Sequence, residues 1–425
     1  MREDLLHFVW QHLKIPLRLK TTEGETLKIL HPGEPNDGTG PDFFNARLLI
    51  DRIHWAGNVE MHLRSSDWYA HGHQDDSNYS KVILHVVYED DMPVTRGDGQ
   101  LLPTLQLRSY IAPGIINSYR SLLSYQGKDF INCEKMLPGI PPVLLSSWME
   151  ELYRRRLTAQ SDLLNRQYQL YNKDWEQLLF ISLMRVFGSQ KNGAFFLEVA
   201  GRLDFSIIRK TSGSVQALEA LFFGMVGMLS RKPGTDPYYF QLQREFTFLK
   251  RKYGMLPPAG RSPEFFGQRP SNFPTIRLAQ LAMLYHKTPK LFSETIAIAT
   301  KKEAYSLFSV AASTYWNTHF LFGKSSRSWT KRVNKRFTDL ILLNAVIPLK
   351  VAFASQRGKD IRTEMLAFAS EIKAEKNGPI EKFKILGVHP GHALQSQALL
   401  ELYSKYCRKH QCLRCAVGRQ LLNQI

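Results

Sequence analysis

The chain has 425 residues, of which 44% are hydrophobic and 22% charged. This composition is typical of a globular protein and excludes a disordered or low-complexity chain. No uninterrupted apolar run approaches the ~20 residues that span a bilayer, so an integral membrane protein is not expected. The first residues, "MREDLLHFVWQHLKIPLRL", predict an amphipathic helix without the cleavage site of a signal peptide, and hence a cytoplasmic protein.

The net charge of +18 is unevenly distributed along the chain. Residues 1–140 carry a net charge of about −4, whereas residues 141–425 carry about +22. A large basic surface favours a polyanionic partner, and we expect nucleic acid, most simply DNA. The alternative is a basic protein whose Lys and Arg side chains are only solvated.

The N-terminal region predicts a compact α+β domain. After the first helix, short apolar stretches bounded by Gly, Pro, Asn and Asp indicate about five strands. The stretch "KVILHVVYEDD" is almost continuously apolar, as expected for the centre of a sheet. We therefore predict a mixed-sheet domain over residues 1–135.

From "PPVLLSSWMEELYRRRLTAQSDLL" onward, apolar residues recur at three- and four-residue intervals. This period predicts a mostly α-helical, basic second domain over residues 136–425, with a cysteine cluster near its end. The expected fold class is therefore α+β.

Two carboxylates flank the strands in "GPDFFNARLLIDRIHWAGNVEMHL". Asp42 follows Pro41, and Glu60 lies in a Glu-x-His sequence with His62. Side chains alternate along a strand, so Glu60, His62 and Arg64 should share one face. Carboxylate oxygens bind Mg²⁺ or Mn²⁺, and an imidazole can orient or activate water. These residues could therefore form a catalytic metal site, or simply cap two strand ends.

The pattern of Asp42, Glu60 and His62 resembles the signature of the PD-(D/E)xK nuclease superfamily, with His in place of Lys. The order helix–strand–strand–strand–helix–strand is also similar. The resemblance implies that Asp42 and Glu60 bind the metal ion and that His62 positions the attacking water. It also implies a further acid from the first helix, where Glu3 or Asp4 is the match.

The whole chain also resembles a bacterial family, domain-of-unknown-function family 2851. The stretches "HPGEPNDGTGPDFFNARL", "WAGNVEMHLRSSDWYAHGH", "VILHVVYEDD", "RPSNFPTIRLAQLA" and "CLRCAVG" carry this likeness over nearly the full length. The likeness implies no particular activity.

Histidines are concentrated between residues 54 and 85, where five of the thirteen occur: His54, His62, His71, His73 and His85. The pair His71-x-His73 next to two aspartates could bind a transition metal. Alternatively, the pair lies on a polar turn and His85 is a hydrogen-bonded core residue. Together with Glu60 and His62, the cluster predicts a polar cleft.

The four cysteines are Cys133 and a C-terminal trio, Cys407, Cys412 and Cys415. A C-x2-C turn directs two thiolates to one metal, and four thiolates complete a [4Fe–4S] or Zn²⁺ site. Should Cys133 be only a buried apolar residue, His410 could replace it as a ligand. The arrangement is similar to that of the iron-staple nucleases, which implies a structural [4Fe–4S] cluster beside the nuclease core.

Basic residues of the second domain offer candidate contacts to nucleic acid. In "GKSSRSWTKRVNKRF", Lys331 and Lys335, and likewise Arg332 and Arg336, are four apart, so a helix would present a charged stripe. Arg277 lies in a helix whose N-terminus could hold a phosphate. The alternatives are a solvated helix face and, around Arg277, a braced buried loop.

These features together predict a metal-dependent nuclease that hydrolyses phosphodiester bonds in DNA. A nucleic-acid-binding protein that has lost this activity is one alternative. A metal-dependent hydrolase that acts on a small substrate through the His cluster is the other.

Overall fold

The computed structural model describes residues 2–36, 38–123, 130–230 and 236–423. The chain forms two compact units. The first unit comprises Met1–Trp148, Gly378–His389 and Leu399–Ile425, and the second comprises Met149–Asn377 and Pro390–Ala398. The predicted division after residue 135 assigned the C-terminal cysteines to the helical domain, whereas the structure places them in the first unit.

A seven-stranded mixed sheet forms the centre of the first unit. The strand order is β1-β2-β4-β5-β6-β7, with β3 paired to β4 at the side. The strands up to β5 pair antiparallel, while β5, β6 and β7 run parallel. The strand bounds are β1 Leu19–Lys20, β2 Thr26–His31, β3 Glu34–Pro35, β4 Phe43–Ile50, β5 Ile53–Arg64, β6 Val82–Glu89 and β7 Thr104–Gln106.

The register of the central strands brings polar residues of separate strands to one place. Phe43 at the start of β4 pairs with Val59 of β5, so Asp42 lies next to Glu60. Glu60 in turn pairs with His85 of the parallel strand β6. Strand β4 has an irregularity between Phe43 and Ala46, where Asn45 has a φ of 59°. It shifts the register of β4 against β5 by one residue, which lets Phe43 pair with Val59.

Gly57 in β5 is required by a close approach of β6. A Cβ atom at this position would lie 2.5 Å from Cγ2 of Ile83 and 2.7 Å from the carbonyl oxygen of Lys81. Next to it, the pairing of β5 with β6 shifts register between Asn58 and Val59. Glycine therefore lets β6 pack against the strand that carries Glu60 and His62.

The predicted N-terminal helix is observed as α1, Glu3–Gln11, and it buries one face against the sheet. The core of this unit consists of apolar residues from α1 and from the inner face of the sheet. Among them are Leu5, Val9, Trp10, Leu48, Val59, Met61, Leu84 and Val86, all at most 1% exposed. The polar residues of α1 lie on its other face, near the ends of the strands.

The rest of the chain is mostly helical, so the prediction of an α+β chain with an N-terminal mixed sheet is confirmed. A small hairpin adds β8 His319–Leu321 and β9 Lys324–Ser325. The remaining helix bounds are α2 Asp67–Ala70, α3 Pro113–Leu123, α4 Pro142–Leu170, α5 Trp175–Phe187, α6 Ser189–Gly201, α7 Phe205–Thr211, α8 Val215–Met225, α9 Pro237–Tyr253, α10 Pro274–Lys287, α11 Leu291–Ala297, α12 Lys301–Leu307, α13 Lys335–Ile341, α14 Ile347–Ser355, α15 Arg362–Glu371, α16 Gly378–Ile385, α17 Ala393–Glu401 and α18 Ala416–Asn423.

One helical run, Lys335–Ser355, is long and apolar enough to cross a membrane by length and composition alone. It joins α13 and α14 through the π-helical turn Leu342–Val346. Most of this run, 72% of its apolar window, is buried inside the protein, as in the core helix of a globular unit. The run therefore gives little support to a membrane span.

Candidate metal centre

Three histidines converge at one end of the central strands. His62 lies on β5, and His71 and His73 lie in the turn that follows α2. One ring nitrogen from each of the three lies within 4.8 Å of the other two. The closest pair is Nε2 of His62 and Nδ1 of His71, 3.1 Å apart. The predicted pair His71-x-His73 thus lies on a turn and also joins a larger group.

Glu60 lies beside two members of this group, His62 and His73. Its Oε1 atom lies 3.4 Å from Nε2 of His73 and 3.6 Å from Nε2 of His62. Ligands that bind one ion tetrahedrally at ~2.1 Å are themselves about 3.4 Å apart. Three pairs of donor atoms, at 3.1, 3.4 and 3.6 Å, therefore have the spacing of neighbouring ligands of one divalent ion. The donors that all lie within 4.8 Å of one another are those of His62, His71 and His73.

His85 of β6 holds the ring of His62 from behind. Nε2 of His85 lies 2.8 Å from Nδ1 of His62, and the two rings meet edge to face. His85 is fully buried, and Trp68 packs against its ring. If Nε2 of His62 binds an ion, its Nδ1–H donates to His85, which is how outer partners orient metal-binding histidines. The predicted hydrogen-bonded core role of His85 is thus observed, and it supports the site.

Asp42 lies beside Glu60 through contacts made by the backbone. The backbone N–H of Asp42 donates to Oε2 of Glu60 at 3.0 Å, and the N–H of Met61 donates to Oδ2 of Asp42 at 3.0 Å. His7 on α1 approaches the same Oδ2 atom to 3.3 Å. The structure therefore brings together Asp42, Glu60 and His62, the three residues selected from the sequence.

The electrostatics of the site favour a cation. Burial, followed by the nearby Asp42 and Glu3, raises the pKa of Glu60 to about 9. Burial, followed by His73 and His71, lowers the pKa of His62 to about 3. At neutral pH the imidazole of His62 is therefore uncharged and free to bind an ion, while the carboxylate of Glu60 needs a positive partner to ionise.

We expect the substitution Glu60→Gln to stabilise the metal-free chain at alkaline pH. Folded Glu60 stays protonated up to about pH 9, whereas the unfolded residue ionises near its ordinary pKa of 4.5. The stability of the wild-type chain therefore falls as the pH rises between these values. Glutamine resembles the protonated acid at every pH. The free energy of unfolding of Glu60→Gln should therefore exceed that of the wild type by about 2–4 kcal/mol at about pH 8, and by nothing below about pH 4.5.

Thermal denaturation in excess chelator, measured across this pH range, tests the expectation. Glu23→Gln is the matched control, because Glu23 is exposed and its substitution should leave the pH dependence of stability unchanged. A stability difference between Glu60→Gln and wild type that stays constant with pH would show that Glu60 is not buried as an acid.

The residues of the site differ in their exposure to solvent. Glu60 and His62 are 5% and 2% exposed, whereas His71 is exposed and the side chains of His7 and Asp42 are 32% and 24% exposed. The solvent-accessible part of the site is therefore the part that carries His71, His7 and Asp42. Arg64, which shares the strand parity of Glu60, is exposed at the end of β5.

Residues of α1 complete the site. Of the two acids considered in this helix, Asp4 accepts a hydrogen bond from Tyr119 at 2.7 Å, whereas the pKa of Glu3 is raised by burial and by Asp42. Glu3 therefore faces the site. Sequence reasoning missed His7, although its position four residues after Glu3 places both on one helix face. It also missed Tyr79, whose ring stacks on His73 at 3.8 Å.

The four cysteines all lie in the first unit, and all are free thiols. Cys133 belongs to a turn after the N-terminal sheet, and the other three lie near the C-terminus. Cys133, Cys407 and Cys415 line one small cavity. His410, the alternative ligand, has Nδ1 at 3.2 Å from Oδ1 of Asn132.

The predicted charged stripe on a helix is wrong, because α13 begins only at Lys335. The side chain of Asn334 caps this helix by accepting from the N–H of Phe337. The residues before it are extended and pair with the segment around Val310. Arg332, Lys335 and Arg336 are nevertheless exposed.

Arg277 and Lys331 are buried, at 4% and 1% exposure. The guanidinium of Arg277 donates to Asn272 and Gln280 and lies over a phenylalanine ring. The ammonium of Lys331 donates to the carbonyl oxygens of Trp316 and Asn317. Both side chains therefore brace the second unit, and the candidates for nucleic-acid contact reduce to the exposed Arg332, Lys335 and Arg336.

No curated protein and no solved structure matches the chain. Residues 3–378 match a family of proteins of unknown function, DUF2851, and this range includes every residue of the histidine–carboxylate site. The chain belongs to the DUF2851 family.

Proposed function

We propose that this protein is a metal-dependent hydrolase of phosphodiester bonds in DNA, with its catalytic centre at Asp42, Glu60 and the three histidines. The observation that carries the proposal is the spacing of the donor atoms. Ring nitrogens of His62, His71 and His73 lie within 4.8 Å of one another, and Oε1 of Glu60 lies 3.6 Å from His62 and 3.4 Å from His73. A further carboxylate, Asp42, lies directly beside them.

The donor set favours a particular class of ion. Three imidazoles and one carboxylate suit Mn²⁺, Zn²⁺ and other first-row divalent ions, whereas Mg²⁺ prefers oxygen ligands alone. Of the two ions that the carboxylates alone predict, Mg²⁺ and Mn²⁺, the histidines therefore favour Mn²⁺. Such an ion would supply a Lewis acid that activates water and neutralises charge on a phosphate.

The other residues have roles that follow from their positions. Asp42 is partly exposed, in the solvent-accessible part of the site, so its carboxylate is placed to accept a proton from an attacking water. His7, 3.3 Å from Asp42, can stabilise that carboxylate and share the proton. His85 fixes the ring of His62 and so keeps Nε2 directed at the ion.

Two further observations support DNA as the substrate. Asp42 precedes β4 and Glu60-x-His62 lies on the next strand, β5, as the nuclease resemblance implies for these residues. The net charge of +18, together with exposed basic residues such as Arg332, Lys335 and Arg336, favours a polyanionic substrate.

Chelation and reconstitution test the proposal. Protein stripped of metal with a chelator is supplied separately with Mn²⁺, Zn²⁺ or Mg²⁺, and its action is followed on labelled single- and double-stranded oligonucleotides. We expect Mn²⁺ to restore cleavage to at least ~100 times the rate of the chelated protein, and Mg²⁺ to restore much less.

Two results would overturn the proposal in different ways. If the oligonucleotides are bound in a salt-dependent manner but stay intact with every ion, the chain is a nucleic-acid-binding protein without this activity. If a small phosphodiester such as bis(p-nitrophenyl) phosphate is cleaved while DNA is not, the centre belongs to a hydrolase of small substrates.

A further inference from the structure

The four cysteines of this chain form a second cluster of potential ligands, separate from the histidines. Cys133, Cys407 and Cys415 line a small cavity whose other walls are apolar side chains, among them Ile131, Leu137, Leu402 and Val417. Cys412 lies next to them, since its carbonyl oxygen accepts from the N–H of Cys415 at 3.1 Å and its Sγ lies 3.6 Å from the side-chain nitrogen of Asn132, the residue before Cys133. Cys133 thus lies close to three cysteines that follow it by more than 270 positions in the sequence.

The backbone of the C-terminal segment turns so that its cysteines can converge. Cys407 ends a π-helical turn, Leu402–Cys407, and Cys412 begins a short 3₁₀ turn, Cys412–Arg414. Between them, His410 takes a left-handed conformation with a φ of 53°. This reversal returns the chain toward Cys407, as a C-x4-C-x2-C sequence requires if all three sulfurs face one centre.

Hydrogen-bond donors surround the sulfur atoms and would stabilise thiolates. The side-chain N–H of Asn132 donates to Sγ of Cys412 at 3.6 Å. The backbone N–H groups of Val417 and Gly418, at the start of α18, are directed at Cys415 and lower its pKa against the effect of burial. Donors of this kind are typical around thiolates that bind a metal or an iron–sulfur cluster.

We propose that Cys133, Cys407, Cys412 and Cys415 hold a [4Fe–4S] cluster that ties the C-terminal segment to the N-terminal part of the first unit. The spacing of the sulfurs favours a cluster over a single zinc ion. Four sulfurs bound to one Zn²⁺ at ~2.3 Å are about 3.8 Å apart. No three sulfurs of these four cysteines, all of which the structure describes, lie within 4.8 Å of one another, which suits a cuboidal cluster placed between them. The trio lies beyond residues 3–378, which match the family, so the cluster is inferred from this chain's own structure.

Metal and sulfide analysis of the wild-type chain, purified without oxygen, tests this proposal. We expect about four iron and four acid-labile sulfide per chain, with a broad visible absorption that bleaches on reduction. Protein obtained without iron should regain both on incubation with ferrous iron and sulfide. Stoichiometric zinc without iron would overturn the proposal, as would a colourless protein that takes up neither iron nor sulfide on reconstitution.

A pair of variants assigns the ligands. Cys412→Ser should reduce bound iron and visible absorption at least fivefold. Ser404→Ala should leave both unchanged, because Ser404 is exposed on the π-helical turn that ends at Cys407 and its hydroxyl donates to the carbonyl oxygen of Glu401. Circular dichroism shows whether each variant is folded. A folded Cys412→Ser protein with full iron content would contradict the assignment. Since the analysis of the wild-type chain requires no DNA cleavage, its outcome is independent of the proposed nuclease activity.

Discussion

Substitution of His62 by glutamine should lower the rate of DNA cleavage by on the order of 10³-fold. His62 is the most enclosed of the three histidines, at 2% exposure, and Nε2 of its ring is near both His71 and Glu60. Loss of an outer-shell partner typically costs ~10–100-fold in metal affinity or activity, and loss of a ligand should cost more. Glutamine keeps most of the volume, so the effect should arise from the lost ligand and not from a cavity.

Steady-state cleavage assays in Mn²⁺, with metal content measured in parallel, check this expectation. His54→Gln is the matched control, because His54 lies on the same strand, is exposed, and is remote from the site. The control should retain the wild-type rate. If His62→Gln is folded and cleaves DNA as fast as wild type, the proposed centre is wrong.

Substitution of Asp42 by asparagine should separate catalysis from metal binding. The amide oxygen can still accept from the N–H of Met61, so the local fold should persist. Because the ion would be held by three histidines and Glu60, the metal content should stay near that of the wild type. The rate should nevertheless fall by about 10²–10³-fold, the range for loss of a positioned proton acceptor.

The control for this variant is Asp98→Asn, since Asp98 is an exposed turn residue of the same unit. Both the rate and the metal content should be measured for each protein. Loss of the metal from Asp42→Asn would make Asp42 a ligand instead of a base. A full rate in this variant would remove Asp42 from the mechanism altogether.

Much of the site could be predicted because strand geometry is periodic. Alternation along β5 placed Glu60 and His62 on one face, and the two strands that begin and end near Asp42 and Glu60 were recognisable from their apolar patterns. The convergence of these residues in the structure follows from the antiparallel pairing of β4 with β5. Local periodicity was sufficient here.

Other parts depend on contacts between distant segments, which no local pattern specifies. His7 enters the site only because α1 packs against the sheet, and His71 reaches His62 only through the turn after α2. In the same way, Lys331 looked like a surface charge but is buried against backbone carbonyl oxygens. A lysine side chain can extend its ammonium group into solvent or bury it against carbonyl oxygens, and the tertiary structure determines which of the two occurs.

The domain division illustrates a related difficulty. The change from strand-like to helical patterns near residue 135 was clear in the sequence, and the second unit does begin close to it, at Met149. The return of residues 399–425 to the first unit had no compositional signal. The cysteines alone suggested it, because a metal centre that includes Cys133 requires the C-terminal trio to lie beside it.

Anomalous diffraction from crystals grown with Mn²⁺ tests the central claim most directly. The account predicts a single strong peak within bonding distance of Nε2 of His62, a ring nitrogen of His71 and of His73, and Oε1 of Glu60, with Asp42 beside it. Manganese bound elsewhere while these four ligands stay empty, or no bound manganese at saturating concentration, would contradict it.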